Sequence, residues 1–301
     1  MSNNASSESC RVQVFNNEVI LTEICKYLPQ NLLAKVSAIN RRSWKIAIPR
    51  IWEGPYLTHI GQLRAFTKIV SRSLPISIID KPCYGSMVRK FDLSMLAGRW
   101  EKLGSNDLQP VFKYCTGITD LNINLCQNIQ DNQLVSLFSK NPEICSSIEN
   151  LDMSETMFSD KAIEKVIRLI SKLDELRLNE TFASTHTIDA IAETQGYLST
   201  IELFDCDVSA DQIKKLYYDC TLLVEIGAPY SLSDELEEFA LEFDMDRCGE
   251  VYYDNGDDDD EDSDNYSDYD DEELYVFSGH NGDSDIDEDD LDDTIDGFAN
   301  M

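Results

Sequence analysis

Among nine cysteines there is no Cys-x-x-Cys pair, and the three histidines, His59, His186 and His280, lie far apart along the chain. The thiolate and imidazole spacings that build metal sites are therefore missing, and no metal ligands are assigned. No glycine-rich phosphate loop and no Gly-x-Ser-x-Gly turn occurs. No pair of acids stands out from a background of 57 carboxylates. Catalytic and cofactor-binding residues are accordingly left unassigned, and the chain is expected not to be an enzyme. No apolar run approaches the length of a membrane span. The opening MSNNASSESC is polar and lacks the apolar core of a secretory leader, so the expected setting is cytoplasm or nucleus, where thiols stay reduced.

Positive charge is also missing from one end. From Asp254 to Met301 there are 22 Asp and Glu and no Lys or Arg. Of the chain's 57 acids this leaves 35 to face all 25 bases. Residues 1–87 reverse the balance, with 11 bases against 5 acids. The 301 residues thus divide into a basic head, a mildly acidic middle and a polyanionic tail, at a net charge of −32. Such a balance favours neither nucleic acid nor membrane as a partner. The tail (DNGDDDDEDSDNYSDYDDEE, then DSDIDEDDLDD) has too little apolar surface to offset its ordering entropy, and residues 244–301 are expected to be disordered. Composition leaves open whether the tail only solubilises the chain or docks on something basic.

What is present in quantity is a repeat. The pattern apolar-x-x-apolar-x-apolar occurs at Val88-Phe91-Leu93, Ile118-Leu121-Ile123, Ile148-Leu151-Met153, Leu173-Leu176-Leu178, Leu198-Ile201-Leu203 and Leu223-Ile226-Ala228. Successive starts are 30, 30, 25, 25 and 25 residues apart. The last three positions of each alternate as in a strand. Helical spacing follows several of them, for example Ile163, Val166, Ile167 and Ile170. One strand and one helix per unit cannot bury their own apolar edge, so the units must stack over residues 88–243. Cys115, Cys145 and Cys220 each lie three residues before a motif. Cys126 and Cys206 lie eight after one, where Thr156 and Thr181 stand in other units. A small, weakly polar side chain there can pack inside the turn leaving the strand, which makes these thiols structural rather than redox-active.

The head reads differently. Leu21, Ile24 and Leu28 form a helical stripe that stops at Pro29; Leu32, Leu33, Val36 and Ile39 form a second. After the basic Asn40-Arg41-Arg42 a third segment carries Trp44, Ala47 and Ile48, broken at Pro49 before Ile51-Trp52. Asn16 or Asn17 is suited to cap the first helix. Three helices this short make a poor core alone, so they are expected either to dock on a partner or to cap the open end of the stack through residues 53–87.

The run E18-VILTEICKYLP-QNLLAKVSAINRRSW…IPRIW resembles an F-box over residues 14–52, and the repeats resemble cysteine-containing leucine-rich repeats. The order of head, linker and repeats is similar to fungal F-box/leucine-rich-repeat proteins. The implied architecture is α/β: a disordered stretch 1–13, a short three-helix F-box module, a helical linker, a right-handed leucine-rich-repeat solenoid of about six units, and the acidic tail. The implied function is substrate recognition for an SCF ubiquitin ligase, whose Skp subunit, joined to a cullin, would bind Phe15, Leu21, Ile24, Leu28, Pro29, Leu32, Leu33, Val36 and Trp52. A different family, the acidic leucine-rich nuclear phosphoproteins that bind histones, shares the repeats and the tail but has no such head.

On the concave face, strand alternation turns Asp120, Asn122, Asp152, Glu175, Arg177 and Glu202 outward, and Phe204 should follow them at a strand's end. These residues are the expected contacts for a target with a basic segment. The tail is expected to occupy basic sites, either on the target or at Arg41, Arg42, Lys45 and Arg50 of the head. Ser267 and Ser284, each with Asp three residues on, are candidate phosphorylation sites that would deepen its charge.

Overall fold

The structure, a computed structural model, describes residues 17–72, 83–236 and 250–253. The expected strands form where the motifs place them. They are β1 (Lys90–Asp92), β2 (Asp120–Asn122), β3 (Asn150–Asp152), β4 (Glu175–Arg177), β5 (Thr200–Glu202) and β6 (Glu225–Ala228). A seventh, β7 (Glu250–Tyr253), joins them in one parallel sheet whose spatial order follows the chain. This corrects the expected boundary of the tail, since β7 falls inside the segment assigned to it. Glu225 is in register with Glu250, so β7 continues the 25-residue phase. The mixed α/β class is as expected.

The register carries the core. Phe91, Leu121, Leu151, Leu176, Ile201 and Ile226 align across neighbouring strands as one column. Every apolar position of the six motifs is at most 2% exposed. Removing each of these side chains except that of Ala228 from water contributes roughly 1.5–3 kcal/mol, which neither a lone strand nor a lone helix could collect. The helices between the strands are α5 (Arg99–Lys102), α6 (Ser105–Tyr114), α7 (Asp131–Ser139), α8 (Pro142–Cys145), α9 (Asp160–Ile167), α10 (Thr185–Thr194) and α11 (Ala210–Asp219). The two intervals of 30 residues each hold an extra one-turn helix, α5 or α8, that the 25-residue intervals lack.

After β2, β3, β4 and β5 the chain turns through a left-handed residue. Leu125, Glu155, Glu180 and Asp205 have φ between 53° and 57°. For non-glycine residues this costs about 1–2 kcal/mol apiece. The compensation is visible: the N–H of Leu125 donates to the Ser154 carbonyl (2.9 Å), that of Glu155 to Asn179 (2.8 Å) and that of Glu180 to Phe204 (2.8 Å). The strained turn thus adds a hydrogen bond between units beyond the end of the strand.

Units also cap each other's helices. The Ser184 side chain makes no capping bond at the start of α10. Asp160, at the start of α9, does so from the preceding unit. Its carboxylate accepts from the N–H groups of Ser184 (3.0 Å), His186 (3.0 Å) and Thr187 (2.9 Å). Burial by itself would raise the Asp160 carboxyl, but these bonds from Thr187 and His186 outweigh it and hold the value below 3.8.

At the other end lie α1 (Glu18–Lys26), α2 (Gln30–Ser37), α3 (Arg41–Glu53) and α4 (Ile60–Arg72), then a 3-10 turn over Tyr84–Met87. The open end of the stack is covered by α4, with Trp52 from the end of α3 packed beside it, while α1 and α2 take no part in this core. Leu63, Phe66 and Val70 of α4 belong to the main core, and the Phe66 ring stacks on Phe91 of β1 at 5.9 Å. One expectation fails here, because α3 runs through Pro49 instead of breaking. Proline's fixed φ suits a helix, although its ring removes one backbone bond and crowds the carbonyl of Lys45. Pro49 and Lys45 are both exposed, so water can take the freed carbonyl.

Candidate functional site

Helices α1 to α3 close on a small core of their own: Leu21, Cys25, Leu33 and Ala47, with Leu28, Val36, Ile46 and Ile51 against it. Local chemistry sets their limits. The Asn17 side chain accepts from the N–H groups of Val19 (3.1 Å) and Ile20 (3.3 Å), while Asn40 accepts from Arg42 and Ser43 (both 2.9 Å). The Gln30 amide donates to the carbonyls of Ile51 (3.2 Å) and Gly54 (2.6 Å), tying α2 to the end of α3. Arg42 reaches Glu18 at 3.3 Å and ties α1 to the start of α3.

This module leaves apolar surface uncovered. Val19 (73% exposed), Ile20, Ile24, Tyr27 (84%), Leu32 and Ile39 all face solvent. Two stripes run side by side along α1: Leu21, Cys25 and Leu28 turn inward, and Ile20, Ile24 and Tyr27 turn outward. The same division separates Leu33 from Leu32 and Ile39.

Of the residues expected to touch an adaptor, Ile24, Leu32 and Pro29 are exposed, and Leu28 and Val36 are half-buried. Leu21 and Leu33 are corrected: at 1% and 3% exposure they hold the module together and offer a partner no surface. Trp52 is corrected too, because it stacks between Tyr84 (4.5 Å) and Phe66 (5.9 Å) and belongs with the main core. Phe15 lies outside the described residues. Val19, Ile20 and Tyr27 are not among the expected contacts, although Ile20, Ile24 and Tyr27 stand at i, i+4, i+7; Ile39, expected only as part of the second stripe, is exposed as well.

The outward face of the sheet forms two rows fixed by register. One row runs Lys90, Asp120, Asn150, Glu175, Thr200, Glu225; the other runs Asp92, Asn122, Asp152, Arg177, Glu202, Gly227. Side chains bond along these rows. Asn122 donates to Asp152 (3.0 Å) and Asn150 to Asp120 (3.1 Å). Arg177 reaches Glu202 (2.9 Å) and Glu175 (3.2 Å), and Asn179 donates to Glu202 (2.8 Å). Burial pushes the Asp120 carboxyl up, but bonds from Thr119 and Asn150 and the charge of Lys90 leave it below its ordinary value. Arg177 is raised despite its burial, by the bond to Glu202 and the carboxylates around it. Every polar residue assigned to target contact therefore sits on one face, braced by neighbours. Phe204 lies on the same outward face, over a position of the second row, but it is not a freely exposed anchor. It is half-buried, and its ring covers Gly227, where a Cβ would meet Cζ at 2.7 Å.

The thiols of the repeats are shut in. Burial pushes Cys115 and Cys126 up to about 12, and Cys145 and Cys220 to about 11. Thiols in that range stay protonated at neutral pH and are poor nucleophiles. Cys206 donates to the Leu178 carbonyl (3.0 Å), while Thr156 and Thr181 donate to Met153 and Leu178 (both 2.6 Å), as the turn position requires. Among the described residues no helix is long and apolar enough to cross a membrane. Ser267 and Ser284 lie outside the described residues. Comparison with protein-family models finds no match, and neither does comparison with curated proteins.

Proposed function

We propose that the chain is a substrate-recognition adaptor of an SCF ubiquitin ligase, with residues 14–52 acting as an F-box and the stacked units as leucine-rich repeats. The observation that carries this reading is the exposed apolar face on α1 and α2. These helices have a core of their own and are not needed to close the stack, which α4 covers. In a well-solvated chain a contiguous apolar face marks a docking surface. The Skp subunit would lie on Ile24, Leu32 and their exposed neighbours and bring the cullin with it. The target would lie on the outward face of the sheet. There Asp92, Asp120, Asp152, Glu175, Glu202 and Glu225 outnumber Lys90 and Arg177, so a basic segment is the expected ligand. The hydrogen-bonded rows hold these carboxylates in place before binding, which lowers the entropic cost of association. The chain itself supplies no covalent step: it raises the effective concentration of target near a ubiquitin-charged enzyme. A cytoplasmic or nuclear setting follows from that role.

The test is affinity for a purified Skp-type subunit, with co-purification scored for a cullin. Ile24→Ser/Leu32→Ser removes exposed side chains only, and should weaken binding by about 2 kcal/mol or more without changing the melting curve. Unchanged affinity in the folded variant overturns the reading. Capture of basic proteins without any Skp subunit would point instead to an acidic leucine-rich-repeat binding module.

A further inference from the structure

The exposed apolar face of α1 and α2 belongs to the net-positive head of the chain. Residues 17–53 carry Lys26, Lys35, Arg41, Arg42, Lys45 and Arg50 against three glutamates, Glu18, Glu23 and Glu53. Lys26 pairs with Glu23 (2.7 Å), Arg42 with Glu18 (3.3 Å) and Arg50 with Glu53 (2.8 Å). Lys35 and Lys45 are exposed and meet no carboxylate among the described residues. An occupant of this face should combine an apolar block with acidic flanks.

One segment of the same chain has that composition. Residues 270–277 read DDEELYVF, four acids followed by four apolar residues, the densest apolar run in a 48-residue stretch without a base. The chain can deliver it. Leu274 lies 21 positions beyond Tyr253, where the described strand β7 ends. Extended, that length spans about 70 Å. The six strand spacings from β7 back to β1 amount to only about 29 Å. The module adjoins β1 directly, since the N–H of Arg89 donates to the Glu53 carbonyl at 2.8 Å. We infer that residues 270–277 dock on the exposed face of α1 and α2, Leu274 to Phe277 against the apolar side chains and the preceding acids toward Lys35 and Lys45. The tether makes the contact intramolecular, so a modest intrinsic affinity suffices to occupy the face. The inference rests on the same surface as the adaptor reading, and implies that tail and adaptor compete for it.

The full-length chain carrying a benzophenone photo-crosslinking residue in place of Tyr27 tests this directly, because Tyr27 is 84% exposed and its replacement leaves the module's core alone. Irradiation should yield crosslinks within one chain to the peptide containing residues 270–277. In Leu274→Ser/Val276→Ser/Phe277→Ser the yield should fall about tenfold, while raised salt should reduce it more gently because apolar burial is not screened. Absence of tail crosslinks, a yield unchanged in the triple variant, or crosslinks only between chains that grow with concentration would each overturn the inference. A purified Skp-type subunit separates this from the adaptor reading. The triple variant should bind it about tenfold more tightly than the parent chain. If crosslinks form but neither chain binds the subunit, the tail contact stands and the adaptor reading falls. If the subunit binds both chains equally and no crosslink forms, the tail contact falls alone.

Discussion

The stacked units and the three-helix module bury their apolar side chains by different rules. In the stack, residues that cannot be covered within a unit are covered by the next one, so the motif positions from Val88 to Ala228 all lie within 2% of complete burial. In the module, Leu21, Cys25, Leu33 and Ala47 form a core only four residues wide at its centre, and six large apolar side chains beside it remain exposed. The polar surfaces differ in the same sense. On the sheet, Asp120, Asp152 and Glu202 are bonded to their neighbours, whereas Lys35 and Lys45 on the module are exposed and meet no carboxylate among the described residues. A region that satisfies itself is built to hold a shape; a region that leaves both apolar area and charge unmatched is built to meet something.

The comparison is broken most forcefully from within. Leu151→Ala, at the middle of the buried column, should destabilise the stack by about 2–5 kcal/mol, read as a lower midpoint in urea unfolding. Leu21→Ala should melt the module early and leave the main transition of the stack in place, because the two cores are separate clusters. One cooperative transition shifted equally by both variants would mean the regions are a single unit.

A smaller effect is expected at the caps. Asp160→Asn removes the acceptor charge that serves α10 and should cost about 1–2 kcal/mol near neutral pH. The sign with pH follows from a folded value held below 3.8. The charged form's contribution is fully present above the unfolded value and is lost as pH falls through the lower folded one. The difference between parent and variant should therefore shrink below about pH 4. A gap that persists unchanged in acid would show that the charge is not what stabilises this junction.

The smallest effects sharpen the contrast from the module side. Ser43 is fully buried, yet its hydroxyl has no hydrogen-bond partner among the described residues. Ser43→Ala relieves that and improves helix propensity, so it should stabilise the module by about 0.5–1 kcal/mol. By contrast Ile24→Ser, on the exposed face, should leave stability within about 0.5 kcal/mol. A large loss on Ile24→Ser would show that this face is part of the fold rather than free for a partner.

Much of this was legible beforehand, for reasons that can be located. Six motifs in near-constant phase marked six strands because strand pairing in register demands the same phase. A seventh copy, Cys248-x-x-Val251-x-Tyr253, has the right spacing 25 residues after Leu223, but its cysteine and tyrosine stand where the others have aliphatic residues. The stripe on α1 was read as Leu21, Ile24 and Leu28, mixing two faces, since a helix with adjacent apolar stripes does not announce which one turns inward. Trp52 looked like a docking residue for the same reason: its partners, Phe66 and Tyr84, lie 14 and 32 positions further on.

By itself the sequence determined the repeat length, the alternation of strand and helix, the charge of each region and the caps of α1 and α3 at Asn17 and Asn40. All of these depend on neighbours within one turn or one unit. Only the tertiary structure decided that α4 with Trp52, and not α1 or α2, closes the stack, that Asp160 caps the helix of the following unit, that the carboxylates of the sheet are braced in rows, and that Phe204 folds over Gly227. Those outcomes depend on which side chains meet across about a unit of chain, and spacing alone does not encode the distance between elements that pack.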